Sequence, residues 1–159
     1  MTILQLVLES IYLYLPAYFA NASPVVLGGG EPLDRGLKWR DGRPILGSHK
    51  TIRGTFAGIA IGTLLGILQL NALGGFLQAT GAITGDLVFS FIKRRMNMEP
   101  GESLPLADQL DFIAFAVIYS YPIQHTSFDK IAAIMLITMP IHYAVNIIAW
   151  LLKLKENPW

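Results

Sequence analysis

Five stretches of mainly apolar residues alternate with polar segments along this chain. They cover roughly residues 3–21, 53–70, 72–91, 107–122 and 130–152. Because a helix needs about 20 apolar residues to cross the hydrocarbon core of a membrane, each stretch is a candidate span. Only Asn71 and Ala72 can form a turn between the second and third stretches, which predicts an antiparallel helical hairpin. The pattern therefore predicts an all-α integral membrane protein with five transmembrane helices in a single domain, residues 1–159.

The basic residues indicate how these helices are oriented. All but one fall on the same side of a five-span arrangement: Arg35, Lys38, Arg40, Arg43, Lys50, Arg53, Lys93, Arg94, Arg95, Lys153 and Lys155. Lys130 falls on the other side. Cytoplasmic loops are enriched in lysine and arginine, so the N-terminus is predicted outside, with the C-terminus and two long polar loops in the cytoplasm. The predicted location is the cell membrane, multi-pass, with the active site facing the cytoplasm.

The composition agrees with a membrane protein and excludes several function classes. Hydrophobic residues make up 53% of the chain and charged residues 14%, whereas a soluble domain is nearer a quarter charged. A net charge of +1 provides no basic surface for nucleic acid. The chain has no cysteine, which excludes disulfides, thiolate metal sites and cysteine nucleophiles.

Glycines recur at every fourth position along the second stretch, at Gly54, Gly58, Gly62 and Gly66. The third stretch repeats this interval at Gly81 and Gly85. Such a strip allows another helix to approach closely, so it predicts helix packing or a homodimer. Gly54 and Gly85 lie beside polar residues at the membrane edge, where a glycine either packs against a helix or admits a ligand.

Polar residues at one membrane edge are the candidate chemistry. Asp86, Ser90, Lys93 and Arg94 follow steps of four, three and one residues along the third stretch, which places them on one helix face. Asp108 and Asp111 share a face at the start of the fourth stretch. Ionised groups at membrane depth are expensive and usually functional. Carboxylates suit Mg²⁺ and the cations suit phosphate, which predicts a metal site at Asp86, Asp108 and Asp111. Alternatively, the carboxylates are ordinary helix N-terminal charges and the basic cluster is a topology anchor.

The segment Gly47-Ser-His-Lys-Thr51, which directly precedes a helix, resembles a phosphate cradle. It is not a Walker A motif, because the upstream glycine spacing and the preceding strand are missing. In the alternative interpretation, Thr51 caps the helix while Lys50 and Arg53 contact lipid headgroups. Asn21 is either a ligand contact or an ordinary helix end. The pattern assigns no role to Glu9, His142 or Asn146.

Together these motifs resemble those of a known enzyme family. The segments Gly47-Ser-His-Lys-Thr-Ile-Arg-Gly54, Gly85-Asp86, Ser90-x-x-Lys93-Arg94 and Asp108-Gln-Leu-Asp111 are similar to the signature of the CDP-diacylglycerol synthases. The segments 16–24, 28–34, 41–44 and 93–95 look more like the archaeal branch, the CDP-archaeol synthases. The resemblance covers roughly residues 16–115, and the last stretch matches only in hydropathy.

The resemblance implies Mg²⁺-dependent transfer of a cytidylyl group from CTP to 2,3-bis-O-geranylgeranyl-glycerol 1-phosphate, an isoprenoid ether lipid phosphate. The products would be CDP-archaeol and pyrophosphate. Asp86, Asp108 and Asp111 would hold the metal and form the catalytic group with Lys93. The implied substrate-binding residues are Lys50, Thr51, Ser90, Arg94, Gly47, Gly54, Asn21, and, for cytidine recognition or closure of the first loop, Asp34, Asp41 and 28–30.

Two other functions remain open at this point. A CTP-dependent polyprenol or phytol kinase is a related membrane enzyme with similar needs, and it would release CDP instead of pyrophosphate. A small cation channel or transporter could place carboxylates at the same depth. The odd number of spans and the lack of an inverted repeat count against this second alternative.

Overall fold

The structure, a computed structural model, describes residues 2–154 and contains five helices in that range. They are α1 (Ile3–Leu27), α2 (Ile52–Leu68), α3 (Ala72–Arg95), α4 (Ala107–Gln124) and α5 (Phe128–Leu151). Helices α1, α3 and α5 are long and apolar enough to cross a membrane, and α2 is a shorter apolar helix. The predicted all-helical class is confirmed over these residues. Lys155, used above for the orientation, lies outside the described residues.

Helix α1 continues six residues beyond its predicted end. Pro24 was expected in the first loop, roughly residues 22–52. A proline can lie inside a helix where the carbonyl that loses its hydrogen bond finds another donor. Pro16 and Pro24 both lie inside α1. The carbonyl of Tyr12, four residues before Pro16, accepts a hydrogen bond from the Gln69 side chain. The C-terminal extension of α1 carries Pro24 to the wall of the site described below.

Helix α3 also ends later than predicted, at Arg95. Lys93, Arg94 and Arg95 form its last turn instead of opening a loop, because cations stabilise the negative end of a helix dipole. At its start, the Asn71 side chain caps the helix by accepting from the Gly74 N–H (3.1 Å). The predicted hairpin between α2 and α3 is confirmed.

The glycine strip of α2 packs within this molecule. Gly58 and Gly62 are buried between α1 and α3, and Gly66 is buried against Gly75 of α3. A Cβ at Gly62 would lie 2.6 Å from Ala79 Cβ and 2.7 Å from the Pro16 carbonyl oxygen. The strip therefore gives no free surface to a second copy, and the homodimer prediction loses its support from it.

Substituting Gly62 by alanine is expected to destabilise the bundle by about 1–3 kcal/mol, the usual cost of overpacking a tight interface. The physical reason is the collision with α1 and α3 just described. Thermal unfolding in detergent checks this, with Ala60→Val as the control because Ala60 is exposed on the same helix. Equal melting temperatures for the two variants would contradict the close packing.

Helix α5 is held mainly through its first half. Its buried residues are Ile134 and Thr138, and the Thr138 hydroxyl shares a hydrogen bond with the Tyr18 hydroxyl of α1 (2.6 Å). Pro140 lies just beyond these residues, and the following half is more exposed. The second half of α5 is consequently free to form one wall of a cavity instead of filling the core.

Candidate functional site

A cavity of about 550 Å³ lies where the ends of all five helices and both long loops meet. This volume is within the usual range for small-molecule sites. Most residues singled out from the sequence line it: Asn21, Lys50, Thr51, Gly54, Asp86, Ser90, Lys93, Arg94, Asp108 and Asp111. Gly47, Asp34 and Asp41 are not among its lining residues. The fold thus brings most of the sequence-predicted site together.

The predicted polar face of α3 is present on the cavity wall. Asp86, Ser90, Lys93 and Arg94 all line the cavity. Ser90 and Arg94 are each only 4% exposed, although both are polar. The Arg94 guanidinium donates to the Glu99 carbonyl oxygen (3.1 Å), which ties the second loop, residues 96–106 between α3 and α4, to this face.

Each of two acidic residues holds a lysine from another part of the chain. Lys50 Nζ lies 2.6 Å from Asp86 Oδ1 and 2.7 Å from Asp86 Oδ2. Lys93 Nζ lies 2.9 Å from Asp108 Oδ2 and also donates to the Glu102 carbonyl oxygen (3.2 Å). The Lys50 side chain therefore points to a carboxylate in the cavity, and not to lipid headgroups as in one of the two interpretations of the sequence.

Asp111 lies deeper than the other two carboxylates. It is 5% exposed, and its Oδ1 accepts from the Phe112 N–H (2.5 Å). Its backbone carbonyl packs against Gly85, where a Cβ would collide with it. Gly85 is thus required for the contact between α3 and α4, which decides between the two interpretations of that glycine.

The three carboxylates do not form a ready-made metal site. Within residues 2–154, no group of three or more histidine, cysteine or acidic side chains is placed to hold a metal ion. Mg²⁺ commonly uses one or two carboxylates and completes its shell with water and substrate phosphates. Asp86 and Asp108 offer hard oxygen donors of this kind, so the residues fit Mg²⁺ that is bound together with a phosphate ligand.

The end of the first loop combines a helix cap with a cavity wall. The Thr51 side chain accepts from the Gly54 N–H (3.1 Å) and so caps α2, as the simpler interpretation of the sequence has it. Gly47 adopts φ +100°, which favours glycine, and a Cβ there would lie 3.2 Å from Arg94 Nη1. Gly54 packs against Pro24, because a Cβ added at Gly54 would lie 3.2 Å from Pro24 Cβ. These contacts bring Lys50 to the cavity.

Asp34 organises the first loop from outside the cavity lining. Its Oδ1 accepts from the Gly36 N–H (3.0 Å), and its Oδ2 accepts from the N–H groups of Leu46 (2.8 Å) and Gly47 (3.2 Å). Burial opposes ionisation, but these three backbone donors together hold the pKa of Asp34 below its usual value. The carboxylate therefore fixes the segment that leads to Lys50.

The lowered pKa gives a pH-dependent prediction for Asp34→Asn. Ionised Asp34 stabilises the folded state above its unfolded pKa of about 3.9, and this contribution is lost as the pH falls through the lower folded pKa. The wild type should therefore unfold at a higher temperature than the variant at neutral pH. The difference should shrink as the pH drops below about 4. Melting curves between neutral and acidic pH measure it, and a difference that does not change with pH would contradict this role.

Asp41 attaches a small hairpin, residues 38–44, to the outside of α3. It accepts from the Arg43 N–H (3.1 Å) and pairs with Arg95 Nη1 (3.2 Å). The ring of Trp39 packs edge-on against Phe91 (5.4 Å between centroids), and the Arg95 guanidinium lies 4.7 Å from the centre of the Phe91 ring. Strand-like pairing in this loop is limited to two isolated bridges, Lys38 with Pro44 and Pro32 with Thr51.

Several lining residues had no signal in the sequence. They are Tyr143, Leu154 and the second-loop segment 100–103, whereas Ser48, His49 and Gln109 lie inside motifs quoted above but had no role of their own assigned. His142 and Asn146 also line the cavity, and Asn146 Nδ2 lies 3.1 Å from His142 Nδ1. They are four residues apart and so share one helix face, but only the tertiary fold shows that this face turns to the cavity.

Comparison with known proteins places the chain in one family. The family model described as CarS-like, CDP-archaeol synthase, matches residues 3–74 and 71–159. A CDP-archaeol synthase of Pyrococcus furiosus is 42% identical over 164 residues, covering 96% of this chain and 98% of the relative. Those of Aeropyrum pernix and Methanococcus aeolicus are 44% and 39% identical, covering 96% and 100% of this chain and 92% and 100% of theirs.

A solved structure gives the same result. It is described as an intramembrane enzyme for archaeal membrane lipids biosynthesis, and it is 41% identical in sequence with a TM-score of 0.82. The match covers 89% of this chain and 94% of that one. The chain therefore belongs to the CarS-like family of CDP-archaeol synthases.

Proposed function

We propose that this chain is a membrane enzyme that transfers the cytidylyl group of CTP to 2,3-bis-O-geranylgeranyl-glycerol 1-phosphate. The products are CDP-archaeol and pyrophosphate. Family membership supports the reaction. The observation that carries it in this molecule is a cavity at the end of the helices whose wall combines three carboxylates with Lys50, Lys93 and Arg94.

The arrangement suits a reaction between two polyanions. The lipid phosphate is already anionic at neutral pH, so its oxygen can attack the α-phosphorus of CTP without a strong general base. The obstacle is charge repulsion, and catalysis then consists mainly of positioning and neutralisation. Lys50, Lys93 and Arg94 are the cations on the wall that can contact phosphate oxygens. Ser90 and Thr51 add hydroxyl groups beside them.

The acidic residues of the cavity are suited to bind Mg²⁺ as the cofactor. Asp86 and Asp108 are its ligands in this proposal, with Asp111 as a third carboxylate deeper in the same cavity. When bound, the ion would neutralise phosphate charge and orient the triphosphate for in-line displacement. The protein's own part is to hold these oxygens on two rigid helices, α3 and α4, that pack closely at Gly85.

The lipid reaches the cavity from the membrane. The second half of α5 lines the cavity through His142, Tyr143 and Asn146 and leaves Val145 and Ile148 exposed. Isoprenoid chains can lie along this apolar surface while the phosphate enters the polar cavity. The basic loops beside the cavity support an active site on the cytoplasmic side of a five-span protein.

The first loop shapes the nucleotide side of the cavity. Gly29 of the loop lines it beside Asn21 of α1, and Gly29 and Gly30 have positive φ with open space around them. We assign cytidine contact to this part of the wall. Asp34 and Asp41 act by holding the loop in place, because their carboxylates bind backbone N–H groups and Arg95.

Release of pyrophosphate tests the reaction type. Purified protein, Mg²⁺ and CTP should release pyrophosphate only when the lipid phosphate is added. A polyprenol or phytol kinase would instead release CDP with a lipid alcohol and no pyrophosphate. A channel or transporter would release neither, which would overturn the proposal.

A further inference from the structure

The cavity contains two lysine–aspartate pairs in which the charged groups bind each other and not the substrate or a metal ion. Asp86 is held by Lys50 and Asp108 by Lys93. In the proposed function, on which this inference rests, both aspartates bind a divalent cation and both lysines bind phosphate. While the two remain paired, the charge of each lysine is directed to a carboxylate, and the charge of each carboxylate is already partly neutralised.

The burial of the pairs permits an exchange of partners. The side chains of Lys50 and Asp86 are 27% and 28% exposed, and those of Lys93 and Asp108 are 15% and 19% exposed. Removing one partner from such a partly buried pair leaves the other charge poorly compensated, which is costly. Replacing both partners at once avoids this cost. A divalent cation and a phosphate group that arrive together supply the two opposite charges required.

We propose that the two pairs are the resting state of the site and that they open by a double exchange. Each carboxylate loses its contact with lysine and binds the divalent cation. At the same time, each lysine loses its contact with the carboxylate and binds a nucleotide phosphate. Binding of cation and nucleotide is then coupled through the protein. Each improves the affinity for the other by the same factor, as linkage requires. The cation alone binds weakly, because it must displace an ammonium group whose charge then has no partner.

Removing one lysine separates the effect on cation binding from the effect on nucleotide binding. Lys50→Gln leaves Asp86 without its ammonium partner, so the affinity for Mn²⁺ in the absence of nucleotide should rise about tenfold, within the usual range of coupling between sites. The affinity for CTP at saturating Mg²⁺ should fall by a similar factor, because a phosphate contact is lost. Opposite changes in the two affinities are not expected from a general disturbance of the fold.

The measurement is a titration of detergent-purified protein with Mn²⁺, following the free ion by electron paramagnetic resonance. Lys130→Gln is the matched control, since it breaks a lysine–carboxylate pair of similar length, with Glu9 (2.8 Å), outside the cavity lining. Lys50→Gln/Asp86→Asn should lose the gain in Mn²⁺ affinity. Lys93→Gln repeats the test on Asp108 if Lys50→Gln does not fold.

The results distinguish this inference from the proposed function. Unchanged Mn²⁺ affinity in both lysine variants would overturn the exchange, even if the wild type transfers cytidylyl groups. Wild-type protein that binds Mn²⁺ as tightly without CTP as with it would also overturn the exchange. Opposite shifts in Mn²⁺ and CTP affinity would support it, and would do so whether or not the lipid product is the one proposed.

Discussion

Replacing Asp86 with asparagine is expected to lower kcat by at least about 10²–10³-fold, the effect of losing one key electrostatic group in an active site. Asparagine keeps the size of the side chain but removes the charge that pairs with Lys50 and, in the proposed reaction, binds Mg²⁺. Steady-state rates of CDP-lipid formation by the purified variant measure this effect.

The control for Asp86→Asn is Glu9→Gln. Glu9 also forms a carboxylate–lysine pair, with Lys130, but it is not among the residues lining the cavity. Its loss should leave the rate within a small factor of wild type. Melting curves should show that both variants remain folded, since Asp86 is partly exposed. Wild-type turnover by Asp86→Asn would remove this residue from the catalytic group.

The second large effect is expected for Lys93→Gln. Lys93 lies between Asp108 and the second loop, on the α3 face that also carries Asp86 and Arg94. If it stabilises the leaving pyrophosphate, the variant should lose about 10²-fold or more in kcat, and Lys93→Arg should recover part of this loss.

Lys38→Gln provides the comparison for Lys93→Gln. Lys38 is an exposed cation of the first loop that does not line the cavity. Its removal should not change kcat. A similar rate for the two variants would mean that Lys93 contributes to net charge at the membrane edge and not to catalysis.

The helices and the polar face of α3 could be predicted because they depend on local pattern. Apolar length gave five helices, and the spacing of Asp86, Ser90, Lys93 and Arg94 placed them on one wall. The continuation of α1 through Pro24 could not be predicted in this way. It depends on tertiary contacts, such as the packing of Pro24 against Gly54.

The pairing within the site also depends on tertiary structure. The sequence places Lys50 in a loop and Asp86 in a span, 36 residues apart, and their contact follows only from the packing of α2 against α3. The spacing of the acidic residues suggested a metal site of three carboxylates. Within the described residues they do not form such a group, and Asp86 and Asp108 hold lysines instead. Asp34 was predicted for cytidine recognition or closure of the first loop, and its contacts are with backbone N–H groups of that loop.

Cytidylyl transfer to a lipid phosphate can be observed by incubating the purified protein with Mg²⁺, CTP labelled at the α-phosphate and the digeranylgeranyl-glycerol phosphate in liposomes. The lipids are then separated by thin-layer chromatography. We expect a labelled CDP-lipid that requires both Mg²⁺ and the lipid phosphate and is absent with Asp86→Asn. If the protein is folded and binds the labelled CTP but no label enters the lipid, the proposed reaction is wrong.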